Sequence, residues 1–78
     1  MKHTDTYAFA RAKEVLDNEY DLQMAVAAIG KQGLNKAVAV RRVARAAAYM
    51  IGYTDYDCPP ISCRSIKYWA IETVEDWQ

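Results

Sequence analysis

The stretch NKAVAVRRVARAAAYMI, Asn35 to Ile51, constrains this chain most, because its apolar positions recur at a helical spacing. At ~100° per residue, Ala39, Val40, Val43, Ala44, Ala47, Met50 and Ile51 share one side. Arg41, Arg42, Arg45 and Tyr49 share the other, with Val38 and Ala48 between them. Asn35 is suited to cap the helix, and Leu34 before it can staple onto Ala39. Gly52 is the expected end. The segment therefore reads as a helix with one buried side, and its solvent side holds three arginines and no acid.

The rest of the chain carries the same kind of signal. A helix is expected from about Asp5 to Tyr20, capped by Thr4 or Thr6. Ala8, Phe9, Ala12, Val15, Leu16 and Tyr20 form its core face; Arg11, Glu14, Asp17 and Asn18 lie opposite, and Lys13 can pair with Asp17. A second helix is expected to start at Asp21 as N-cap, with the stripe Leu22, Ala25, Val26 and Ile29, and to end at Gly30 or Gly33. The prolines and aspartates of YTDYDCPP specify a loop.

The tail SCRSIKYWAIETVEDWQ is the ambiguous part. As a helix it aligns Cys63, Ile66, Trp69, Ala70, Thr73 and Trp77. Its bases come early and its acids late, against the helix dipole, and SIKYWAIETV is rich in strand formers. The expected fold is all-α, a single domain of three to four helices over residues 1–78. The alternative is α+β with a C-terminal strand around residues 65–74. At 78 residues only about 60% of the unfolded surface can be buried, so the aromatic residues Tyr68, Trp69 and Trp77 are expected to serve the core. An exposed Trp77 would instead be a contact point.

Composition narrows the function classes. No apolar run approaches the ~18 residues of a membrane span, and MKHTDTY lacks the apolar region of a signal peptide. The expected setting is cytoplasmic and reducing, with Cys58 and Cys63 as free thiols. Those two cysteines and the single histidine, His3, do not supply the four ligands of a zinc site. Asp55 and Asp57 are too ordinary a pair to hold a metal. There is no glycine-rich phosphate loop, and Cys63, though beside Arg64, has no internal base. Neither an enzyme nor a cofactor is expected.

The formal net charge is zero, but the charges are segregated. Between Leu22 and Thr54 there are five bases (Lys31, Lys36, Arg41, Arg42, Arg45) and no acid, and both flanks are acidic. Three readings of this ridge stand side by side. The arginines are solvated and their stems cover apolar surface. Or they meet a protein, since arginine and tyrosine are enriched at protein contacts. Or they meet nucleic acid.

For nucleic acid, the order helix, GKQGL turn, helix is that of a helix-turn-helix. Lys31, Gln32, Asn35 and Lys36 would then read bases, and Arg41, Arg42 and Arg45 would hold phosphates. Lys36 departs from that pattern, standing where a buried branched residue is usual. For protein, the set is Arg41, Arg42, Arg45 and Tyr49, joined by Tyr53 and Tyr56 from the tyrosine-rich loop.

In size, patchy charge and lack of catalytic residues the chain resembles the small accessory proteins of phages and other mobile elements. That resemblance implies a single compact domain that binds and blocks a host machine, including restriction and CRISPR systems, and it assigns no site residues. The leading expectation is a non-enzymatic protein that inhibits or modulates a larger protein or nucleoprotein complex by occupying its surface. A helix-turn-helix regulator is the alternative, and a homo-oligomer built through the arginines is a third reading.

Overall fold

The computed structural model describes residues 7–53 and 61–77, the side chains of residues 52 and 53 excepted. Among these residues there are four α-helices and no strand: α1 (Tyr7–Asp17), α2 (Tyr20–Gly30), α3 (Lys36–Tyr53) and α4 (Cys63–Glu75). The tail is therefore helical, and the alternative strand around 65–74 does not form. Ser62 starts it, its hydroxyl oxygen accepting the Ser65 backbone N–H at 3.1 Å. Ile66, Trp69, Ala70 and Val74 then lie buried along one stripe. Packing along that stripe overrides both the strand propensity and the unfavourable charge order. The late acid Glu75 also gains a partner in Lys36 at 3.0 Å.

The helices do not stack in chain order. α1 packs on α4, α4 on α3 and α3 on α2, so α4 returns between the first and third helices. The Cα envelope measures 35 × 31 × 16 Å. With helix axes about 8–10 Å apart, 16 Å is room for two layers and no more. Phe9, Ala12 and Leu16 of α1, Leu22 and Val26 of α2, Ala39, Val43 and Ala47 of α3, and the α4 stripe make the core. Ile29, Leu34, Val40, Ala44, Met50 and Ile51 pack against it.

α1 ends earlier than its periodicity suggests. The chain breaks at Asn18 and Glu19, where side chains replace the lost helical bonds. Asn18 Nδ2 donates to the Glu14 carbonyl at 2.7 Å, and Gln23 Nε2 donates back to the Leu16 carbonyl at 2.8 Å. The break begins a new helix at Tyr20, with Glu19 as its N-cap rather than Asp21. Asp21 instead sits in the first turn, where its charge suits the helix dipole. Tyr20, expected in the core, is 73% exposed, and Ala8 is exposed as well. The proposed caps Thr4 and Thr6 lie outside the described residues.

α3 begins as expected. Asn35 Oδ1 accepts the Val38 N–H at 3.0 Å, and Leu34 packs on the core that contains Ala39. The turn before it carries Gly33 at φ +67°, a left-handed conformation that side chains resist. The helix runs to Tyr53, one residue past Gly52.

Trp69 is the largest fully buried side chain. Its indole N–H donates to Asp17 Oδ1 at 2.9 Å, which ties α4 to the end of α1. Asp17 Oδ2 accepts from Lys13 Nζ at 2.8 Å on the solvent side. That hydrogen bond raises the Lys13 pKa above the usual lysine value, outweighing the desolvation that lowers it, and the nearby charges of Asp17, Glu72 and Asp76 add to the rise. A raised lysine favours the fold while protonated. Its contribution is whole below the usual lysine range and disappears as the pH climbs through the raised value. Trp77 is 40% exposed and lies flat against the end of α2, with ring atoms 3.5 Å from where a Cβ on Gly30 would stand. It pins the last turn without being engulfed. Tyr68, expected in the core, is 38% exposed.

Asp17→Ala should cost about 1–2 kcal/mol in urea unfolding, since it strands a buried indole N–H. Asp17→Asn, which keeps an acceptor oxygen, should cost less than half of that. Gly33→Ala should cost about 1 kcal/mol through its left-handed backbone. Gly30→Ala, whose methyl would meet the Trp77 ring at ordinary contact distance, should be neutral or slightly stabilising in the same assay.

Candidate interaction surface

The candidate surface is the outer side of α3. Ala39, Val43 and Ala47 face inward and are fully buried, which leaves the other side of the same helix to solvent. Arg41, Arg42 and Arg45 are all exposed, and Tyr49 is 67% exposed one turn beyond Arg45. The structure therefore brings together these four expected contact residues. Tyr53 ends α3, but its side chain lies outside the described residues, as does all of Tyr56. The same holds for Asp55, Asp57 and Cys58, while Cys63 is an exposed free thiol.

The ridge does little for the helix that carries it. The arginines sit mid-helix, and α3 has no acid in its first turn and no base in its last. They therefore gain nothing from the helix dipole, which acts only near the ends. Arg41 and Arg45 are four residues apart and Arg42 and Arg45 three, so both pairs are like-charge neighbours on one face. Such pairs cost a few tenths of a kcal/mol each. Among the described residues no carboxylate pairs with Arg41 or Arg45. Arg42 is held sideways, its Nη1 donating to Gln32 Oε1 at 3.0 Å.

The residues expected to read bases behave differently. Lys31, Gln32, Asn35 and Lys36 do cluster at the α2–α3 turn and the first turn of α3. Three of them already have work within the chain. Gln32 accepts from Arg42, Asn35 caps α3, and Lys36 reaches Glu75 at 3.0 Å on α4. Lys31 is exposed at the C-cap of α2.

One exposed face went unnoticed in the sequence. Tyr20, Met24, Ala27 and Ala28 on α2 are all exposed, with Met24 at 56%. The signal was there: from Leu22 to Gly30 the chain has no charged residue, and a helix apolar on every side must expose some of it.

Among the described residues no three His, Cys, Asp or Glu side chains come together as a metal site, and no helix is long and apolar enough to cross a membrane. No family model, no curated protein and no solved structure matches the chain.

Lys36 and Glu75 are each half-exposed, so their bridge should matter little to stability. Lys36→Ala and Glu75→Ala should each shift urea unfolding by less than about 0.5 kcal/mol. A double-mutant cycle should return a coupling within that limit.

Proposed function

We propose that this chain acts without catalysis, by laying the outer face of α3 on an acidic surface of a larger protein or nucleoprotein complex and so modulating or inhibiting it. The observation that carries this reading is the ridge itself: three exposed arginines and an exposed tyrosine on one helix face that repels itself. Arginine and tyrosine make large contacts with a modest loss of freedom, and desolvated arginine pairs rank among the strongest anchors of interfaces. The chain's likeness in make-up to small phage and mobile-element accessory proteins points to host defence machines as the first partners to try.

A helix-turn-helix regulator is the second reading. In its favour, α2 packs on α3 across a short turn containing a left-handed glycine. Against it, Gln32, Asn35 and Lys36 are engaged within the chain.

The double reversal Arg41→Glu/Arg45→Glu separates the readings. It keeps a like-charge pair at 41/45 and turns the 42/45 repulsion into an attraction, so the fold should be as stable as wild type or more stable by a few tenths of a kcal/mol. The wild-type chain, used as bait in host lysate, should retain a protein partner that the variant loses. Random-sequence duplex DNA, followed by anisotropy through a salt series, should show no binding at physiological salt. DNA binding that falls steeply with salt and vanishes in the variant would put the helix-turn-helix reading first. A partner retained equally by both forms would remove the ridge from the interface.

A further inference from the structure

We propose that a second copy of this chain docks on the outer face of α2, antiparallel to it, to give a closed two-fold dimer. The first observation is the position of α2. It stands at one end of the spatial order, as α1 does at the other, with α3 as its principal neighbour among the described helices. The second is the composition of its free face. At ~100° per residue, Tyr20, Met24, Ala27, Ala28 and Lys31 fall within an arc of about 100°. All five are exposed, and four of them are apolar or aromatic. A core helix has no use for such a face, and neither has a solvated one.

Charge complementarity selects the occupant and its direction. The exposed charges along α2 are Asp21 in its first turn and Lys31 at its C-cap. In an antiparallel pair centred between Met24 and Ala27, Asp21 of each copy lies beside Lys31 of the other. Two ion pairs form, and the helix dipoles oppose one another favourably. A parallel pair would set aspartate on aspartate and lysine on lysine. In the antiparallel register Met24 faces the small Ala27 and Ala28 of the other copy, so a long side chain fills a shallow hole and the axes can approach closely. Tyr20 lies along the Lys31 stem. The contact uses the same patch on both copies, so it closes at two. Its reach is a single helix of 11 residues. That is a small interface, and its dissociation constant should fall at roughly 10–100 μM.

Sedimentation equilibrium of the full chain from about 5 to 500 μM tests this directly, a range that brackets the expected constant. The wild-type mass should rise from monomer toward dimer. Asp21→Lys alone and Lys31→Asp alone each turn both ion pairs into repulsions, and each should weaken self-association about ten-fold or more. Mixed in equal amounts, these two variants restore both pairs between unlike copies and should form a heterodimer near wild-type strength. Met24→Glu, at a half-exposed position that leaves the core alone, should abolish association while the circular dichroism stays helical. A wild-type chain that stays monomeric at 500 μM would overturn the proposal. So would a dimer untouched by Met24→Glu, or variants that fail to recover on mixing. Should Met24→Glu lose its helicity, the mixing experiment decides alone.

Discussion

The indole N–H of Trp69 must find an acceptor inside a thin domain, and the acceptor it finds, Asp17, joins the last helix to the first. A buried donor left alone would cost more than most surface contacts return. The bond ties α4 to the end of α1, and α4 packs between α1 and α3. Once there, Ile66, Ala70 and Val74 offer α3 a surface onto which Ala39, Val43 and Ala47 can close. The small residues of α3 matter because they bring the backbones near. They also mean that α3 turns its whole inner side to the core and sends every arginine outward.

That division leaves the ridge outside the packing that holds the fold. An arginine near the C-terminus of a helix, or one turn from an acid, stabilises its own helix. Arg41, Arg42 and Arg45 have neither placement along the chain. The domain carries the local repulsion because its stability resides in the buried stripes of its helices, that of α3 included. The acids of α1 and α4, Glu14, Asp17, Glu72 and Glu75, are matched there by Arg11, Lys13, Arg64 and Lys67. The neutral total thus includes one helix, α3, that carries bases and no acid.

How much of this was legible in the sequence depended on distance along the chain. The stripe of α3 and its Asn35 cap are local patterns, and both are where the spacing puts them. The grouping of Arg41, Arg42, Arg45 and Tyr49 follows from the same spacing. The break after Asp17 was not legible, because Tyr20 continues the apolar period of α1. The bonds from Asn18 to the Glu14 carbonyl and from Gln23 back to the Leu16 carbonyl hold the turn there. Moving Tyr20 from the core to an outer face is the consequence. Tail helicity rests on the burial of Ile66, Trp69, Ala70 and Val74 against distant helices, with Trp69 bonded to Asp17, 52 residues away, which no local propensity reports. The engagement of Lys36 by Glu75 is similarly remote. It weakens a nucleic-acid reading that the helix order alone had encouraged.

α3 bears its arginines at its own expense. Thermal and urea unfolding of Arg41→Glu, compared with wild type in low and in high salt, measures this most directly. The substitution relieves one repulsion and places a glutamate four residues before Arg45, the favourable orientation. At low salt the variant should be more stable than wild type by about 0.5 kcal/mol, and the difference should shrink as salt screens both charges. A variant less stable than wild type at low salt would show that Arg41 supports the fold, and the ridge would then need no partner to explain it.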